Sequence, residues 1–339
     1  MTSEQFQAIA EEYATLRVTI AGDFCLDRYL EIDPSKSETS IETGLPVHNV
    51  VNVRSQPGGA GTILNNLSAL GIGDICPVGF YGEDGEGFEL RRALQAKTGV
   101  RLDHFLQTEL RRTFTYCKPL VMQPDKPPTE LNRLDSKNWT PTPALLQGRL
   151  IDSITNVAAE SDALILLDQV DLPETGVVTL KLLEAVSHIV NELPKLPILA
   201  DSRRGLRGYP AVSFKMNSAE LNTLTGCPAD ASFDELKEMT AALARKQGRT
   251  VFITLSDRGI MGASPNGEVE HVPALPVRGP IDIVGAGDAV TANLTAALAA
   301  GATLREALEI AMAAASIVIH QLGTTGTASI SQIRAILPT

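Results

Sequence analysis

Aromatic side chains are scarce, at 4% of 339 residues with a single tryptophan. A surface built on stacked rings is therefore not expected. Cysteine is as sparse. Cys25, Cys76, Cys117 and Cys227 form no Cys-x-x-Cys pair, and the five histidines are scattered. This excludes a disulfide framework and a zinc centre, and it fits a reducing compartment. Long apolar runs are missing too: the longest, Ile310 to Ile319, is too short to cross a bilayer. The opening MTSEQFQAIAEEYATL is acidic and lacks the apolar core of a signal peptide. Positive charge is in deficit, with 29 basic against 40 acidic residues and a net charge of -11. Such a chain repels phosphate backbones and anionic lipid, so neither nucleic acid nor a membrane is an expected partner. No Gly-x-Gly-x-x-Gly follows the first strand with an acidic residue about 20 positions on, which excludes a dinucleotide-binding dehydrogenase. A cytoplasmic protein is expected.

What is present is a large apolar content, 44% of residues, rich in Ala, Leu, Val and Ile. Compact apolar runs read as strands buried on both faces: Leu16 to Ala21, Asp74 to Val78, Ala163 to Leu167, Ile198 to Asp201, Val212 to Met216 and Thr250 to Leu255. Helical patterns alternate with them at Gly61 to Leu70, Gly87 to Gln95, Thr175 to Glu192, Phe233 to Gln247 and Asp288 to Ala300. The alternation predicts an α/β fold, a mostly parallel sheet flanked by helices on both faces. One domain is expected over 1–339. Two segments, Arg28 to Arg54 and Arg112 to Met122, break the rhythm with short β-like runs and are read as a small β-sheet lid.

The strongest local signal is Asp282-Ile283-Val284-Gly285-Ala286-Gly287-Asp288, followed by a helix that ends at Gly301. Glycines before a helix leave its first N–H groups open to an anion, and the helix dipole adds positive charge there. Asp288 beside such a nest could take the proton of a hydroxyl that attacks a phosphoryl group. The same Asp could serve only as a helix cap. Asn217 and Glu220 could likewise be capping residues or oxygen donors to Mg²⁺, and Gly58-Gly59 a plain turn or a close approach to a ligand.

DIVGAGDAV resembles the C-terminal signature of ribokinase-like (PfkB) carbohydrate kinases. Other motifs follow in the family's order: GDFCLDR, QPGGAG, GFYGEDG, Asn217-Ser218-Ala219-Glu220 and TLSDRG. The resemblance spans the whole chain. It implies an ATP-dependent phosphotransferase with Asp288 as base and the Gly285-Ala286-Gly287 backbone as anion hole. It places Asp23, Asp27, Gly58, Gly59, Asn66, Lys118 and Arg133 around the sugar. Asp201, Asn217, Glu220, Thr254, Ser256 and Gly259 fall around the nucleotide, with Asn217 and Glu220 serving Mg²⁺. A monovalent cation is left open as a further cofactor, and a homodimer joined through the lid is expected.

Within the family the chain is most similar to the heptose-7-phosphate kinase branch, through GDFCLDRYLEIDPS, Arg133-Leu134-Asp135, ILADSRRG and HQLGTTGTAS. Some members of that branch carry a second, nucleotidyltransferase domain. Its His-x-Gly-His motif does not occur here, so kinase activity alone is expected. Basic residues at Arg112, Lys118, Arg133, Arg203 and Arg204 suggest that the sugar already bears a phosphate. The chain departs from the pattern at Thr62, where an asparagine is expected, and at Gln169 to Leu172, which replace a Tyr-x-Lys-Gly run. It departs again at Ser256, where glycine is usual, and at Met312. Another sugar or nucleoside kinase of the family, or a non-catalytic binding protein on the same fold, remain the competing readings.

Overall fold

The computed structural model describes residues 1–226, 228 and 230–338. Cys227 lies outside the described residues; the other three cysteines are buried free thiols. The strands in chain order are β1 (Arg17–Gly22), β2 (Phe24–Ile32), β3 (Glu38–Thr39), β4 (Pro46–Val47), β5 (Val50–Gly59), β6 (Asp74–Gly82), β7 (Phe105–Thr108), β8 (Thr115–Val121), β9 (Thr129–Glu130), β10 (Ala163–Asp168), β11 (Ile198–Ser202), β12 (Ser213–Asn217), β13 (Val251–Thr254), β14 (Ile260–Ala263) and β15 (Val269–Val272). A nine-stranded sheet runs β15-β14-β13-β12-β11-β10-β1-β6-β7. It is parallel from β7 to β13 and antiparallel at β14 and β15.

Both faces of this sheet are covered, as the apolar strands require. Along β10, Ile165 and Leu167 enter one core with the Ala60–Ala69, Ala286–Ala299 and Leu304–Val318 helices. Leu164 and Leu166 enter the opposite core with the Ala144–Ala158, Leu180–Glu192 and Phe233–Gln247 helices. This is the two-residue alternation of a strand. Each such fully buried leucine contributes about 1.5–3 kcal/mol of transfer energy.

A second, mixed sheet has the order β5-β2-β8-β9; β2, β5 and β8 come largely from the two segments that break the α/β rhythm, and β9 lies beyond the second of them. Its first strand begins at Phe24, four residues before the expected boundary, and β5 continues to Gly59.

The topology fixes where a site can form. From β1 the chain first fills β6 and β7 on one side, then returns to β10 and builds outward on the other. A crevice opens beyond the carboxyl ends of the strands at such a reversal. Asp23 directly follows β1, and Asp168 ends β10.

Four of the five expected helices begin elsewhere. Those expected from Gly61 and Gly87 start at Ala60 and Gly85. The one expected from Thr175 starts at Leu180, capped by the Thr179 side chain. The Val177 N–H is held by Asp23 at 2.7 Å, outside any helical bond. The one expected from Asp288 starts at Ala286, because Gly285 at φ 83° serves as its N-cap.

Candidate active site

The Gly285–Asp288 turn opens a helix that is buried along its length from Ala289 to Ala297, while the turn itself is only half-buried. The N–H groups of Gly287 and Asp288 have no backbone acceptor among the described residues. They form the open anion-binding end expected of such a turn. Asp288 lies inside the helix and is not its cap, and its carboxylate accepts no hydrogen bond among the described residues. The capping role is thereby removed. Desolvation, with the Asp201 charge adding to it and Lys215 opposing it, pushes its pKa up to about 7. A carboxylate poised there is a competent base near neutrality.

Beneath the turn lies a cation absent from the expected set. Lys215 is buried in β12, its ammonium 2.7 Å from Asp201 and 3.1 Å from where a Cβ on Gly287 would stand. Burial alone would lower its pKa, but Asp201 outweighs that and holds it above the ordinary lysine value. Thr291, one turn after Gly287, donates to the same Asp201 oxygen at 3.1 Å. Asp201 therefore orients a charged lysine under the glycine turn. The signal was legible: a lone lysine in the apolar run SFKMN, two residues before Asn217 and so on the same face of its strand.

Asn217 and Glu220 form a reciprocal capping box, with bonds of 2.9 and 2.8 Å. The cap was the plainer of the two readings, and it is present. Glu220 Oε1 keeps no partner among the described residues, and burial holds the carboxyl above its usual range. No group of three His, Cys, Asp or Glu side chains among the described residues could enclose a metal ion. Mg²⁺ is usually held by one or two carboxylates together with nucleotide phosphates, and Glu220 Oε1 is an oxygen of that kind. Thr254 ends β13 opposite Asn217. After it, Ser256 stands at φ 57° and Gly259 at φ 94°. A Cβ on Gly259 would lie 2.0 Å from the Val272 carbonyl oxygen, so glycine is required there.

On the other side of Asp288 is Asp27, buried in β2. Lys118 from the neighbouring β8 lies 3.2 Å from it. Burial raises the Asp27 pKa although Lys118 pulls it down. For Lys118, Asp27 outweighs burial and holds the ammonium above its ordinary value. Gly58 is glycine for a reason inside the protein: a Cβ there would stand 2.4 Å from Asp27 Oδ2. Gly59, at φ 57°, would press on the Asp23 carbonyl oxygen at 2.5 Å.

Three residues expected at the sugar behave differently. Asp23 is buried, and its two oxygens accept from the N–H groups of Gln169, Val170 and Val177. Asn66 is fully buried and donates to the carbonyls of Thr62 and Gly326, so it ties a loop and is not presented to a ligand. Thr62 lies nearer the chemistry, its methyl 3.5 Å from where a Cβ on Gly285 would be. Arg133 is exposed, bonded to Asp135 and stacked over the Tyr116 ring at 4.4 Å. Lys137 and Arg203 converge on the same tyrosine, Lys137 at 5.6 Å from its ring and Arg203 donating to its hydroxyl at 3.1 Å. Arg204 leaves the expected basic group, because it neutralises buried Asp168 at 2.6 Å.

Residues 24–330 match the family described as pfkB family carbohydrate kinase. The chain belongs to that family. A bifunctional protein HldE of Bradyrhizobium sp. (strain ORS 278) is 30% identical over 334 residues, covering 98% of this chain and 66% of the relative. Another, of Azorhizobium caulinodans, is 30% identical over 322 residues, covering 94% of this chain and 64% of its own length. The chain thus spans just under two thirds of the curated relatives it matches. Among solved structures, phosphofructokinase-2 from Escherichia coli with substrates and products matches at TM-score 0.70 and 18% identity, over 95% of this chain and 98% of that one. Arabidopsis thaliana ribokinase complexed with ribose and ATP matches at TM-score 0.64 and 20% identity, over 95% of this chain and 96% of that one. The chain has the ribokinase-like fold of these solved structures, and no helix among the described residues is long and apolar enough to cross a membrane.

Proposed function

We propose that this kinase moves the γ-phosphoryl group of ATP to a hydroxyl of a sugar phosphate, with Asp288 as general base. The observation that carries the reading is the Asp288 carboxylate. It accepts no hydrogen bond among the described residues and its pKa is raised to about 7, on the first turn of a helix where the Gly287 and Asp288 N–H groups find no backbone acceptor among those residues and whose underside holds Lys215. The acceptor oxygen attacks phosphorus, its proton passes to Asp288, and the bond from phosphorus to the β–γ bridging oxygen breaks to release ADP. The N–H groups of Gly287 and Asp288 and the Lys215 ammonium stabilise charge on the phosphoryl oxygens. Mg²⁺ would stand near Asn217 and Glu220, held largely through water and the nucleotide phosphates, and would neutralise phosphate charge. Ser256 and Gly259 shape the turn assigned to the nucleotide, and Asp27 with Lys118 faces the acceptor hydroxyls. ATP use and three free thiols support action inside the cell.

A phosphorylated acceptor is supported by the charge around Tyr116. Among the described residues, three cations, Arg133, Lys137 and Arg203, share two carboxylates, Asp135 and Asp171, in a chain of net charge -11. Similarity to the heptose-7-phosphate branch and to the HldE proteins makes a seven-carbon sugar phosphate the first acceptor to try. The test is a panel of sugars and their phosphates with Mg·ATP, run on the wild type and on Arg203→Ala. The phosphate should be used far better than the free sugar. Arg203→Ala should raise KM for the phosphate about 10-fold, equivalent to about 1.4 kcal/mol, and leave KM for ATP unchanged. Equal use of free sugar and phosphate would replace this reading with a plain sugar kinase.

A further inference from the structure

The loop from Gln169 to Val177 is held to the sheet by one carboxylate. Asp23 Oδ2 accepts from the Gln169 N–H at 2.8 Å and the Val170 N–H at 3.3 Å, and Oδ1 accepts from the Val177 N–H at 2.7 Å. Both ends of the loop therefore close on the same side chain. The fit is tight: a Cβ on Gly176 would stand 2.3 Å from Asp23 Oδ1. Behind the loop is a cavity of about 30 Å³, room for roughly one water, lined by Phe80, Phe114, Trp139, Val170, Leu172 and Val177. Val177 anchors one end of the loop in the apolar core, and the carboxylate ties that end to Gln169 and Val170 at the other.

In front, the loop forms part of the acceptor wall. The Gln169 side chain lies 3.6 Å from where a Cβ on Gly59 would be, and Val170 packs on Cys25, Phe114 and Tyr116. We propose that Asp23 is a positioning residue for the acceptor, a carboxylate clamp that fixes the Gln169–Val177 loop as one wall of the sugar site. This inference rests on the assignment of that site to the acceptor. The clamp needs an ionised carboxylate, because a protonated oxygen turns its hydrogen toward the N–H groups it should accept from. The groups facing Asp23 are Asp168 at the end of β10, itself paired with Arg204 and Tyr209, and the Cys25 thiol on β2. Burial and then Asp168 raise the Asp23 pKa to about 6, against the three N–H groups that lower it. The clamp therefore holds above pH 6 and loosens as pH falls through it.

Two readouts test this on the full chain. Hydrogen exchange, corrected for intrinsic rates, should show the amides of Gln169, Val170 and Val177 opening about 10-fold faster in Asp23→Asn. The acceptor KM should rise about 10-fold, with the ATP KM within twofold of wild type. In the wild type the acceptor KM should climb as pH drops below about 6, and in Asp23→Asn this rise should be lost. Gly176→Ala keeps the carboxylate but thrusts a methyl into it, and it should reproduce the exchange and KM pattern; it also serves if Asp23→Asn folds poorly. Unchanged exchange, or equal rises in both KM values, would overturn the proposal. If the wild type phosphorylates no sugar, the assignment of the acceptor site fails, while exchange at 169–177 still decides whether the clamp exists.

Discussion

At the scale of single residues, the proposed chemistry depends on one carboxylate, Asp288, whose proton affinity its surroundings raise. Asp288 sits in a half-buried position with its pKa raised to about 7 from an ordinary carboxylate value of 3.8. The native state therefore holds a proton more tightly than the unfolded chain. The stability associated with that proton is full below about pH 4 and is lost as pH rises through 7. Asp288→Asn should consequently be more stable than the wild type at pH 8, by about 1–3 kcal/mol, and nearly equal to it at pH 4. Chemical denaturation at the two pH values checks this, and a variant destabilised at pH 8 would contradict the raised pKa. The sequence was most legible where a residue's type is forced by chemistry. GAGD pointed to the open turn, and Asp27 and Lys118 proved to be partners across neighbouring strands. It was least legible where a role depends on direction. Nothing in the string QPGGAGTILNN tells which of Thr62, Asn65 and Asn66 faces the crevice. Asn66 proves to face a loop 260 residues away.

At the scale of elements, strands buried on both faces announced themselves, because they must be apolar throughout. The runs at 163–167 and 198–201 are found within one residue of their expected ends. The helix at Phe233–Gln247 has the expected bounds, with a Ser232–Glu235 capping box at its start and Gly248 at its end. The start of the helix at Leu180 was hidden because a tertiary bond from Asp23 captures an N–H that local propensity would have placed in the helix. The turn after β13 carries its own test. Ser256 holds φ 57°, a conformation that costs an L-residue about 1 kcal/mol or more and glycine almost nothing. Its side chain is exposed, so little packing would be lost. Ser256→Gly should stabilise the protein by up to about 1 kcal/mol and should not raise the KM for ATP. A rise in that KM would show that the hydroxyl itself contacts the nucleotide.

At the scale of the whole molecule, the strand order reverses beside β1, and the carboxyl-end residues Asp201 and Lys215 of the main sheet and Asp27 of the second sheet all act on the glycine turn or on Asp288. The alternation of elements made the main sheet legible, whereas the pairing order of the second sheet, with β2 between β5 and β8, depends on contacts far apart in sequence. β5 is an edge strand carrying exposed Val50, Val51 and Val53, near exposed Ile41 and Leu45. An apolar open edge of this kind calls for a cover, and a second copy of the same sheet is the proposed one. Light scattering at micromolar concentration should give the mass of a dimer, and Val51→Lys with Val53→Lys should shift it toward the monomer. A wild-type monomer would leave the edge uncovered and end that proposal.

The central claim is that Asp288 takes the acceptor proton during phosphoryl transfer. It is tested most directly by turnover of Asp288→Asn with Mg·ATP and the best acceptor of the sugar-phosphate panel, beside the wild type. The variant should fold, bind ATP with wild-type affinity and turn over about 10²-fold or more slowly. The wild-type kcat should fall about tenfold per pH unit below pH 7, as the carboxylate becomes protonated. Near-normal turnover by a folded Asp288→Asn protein would contradict the account.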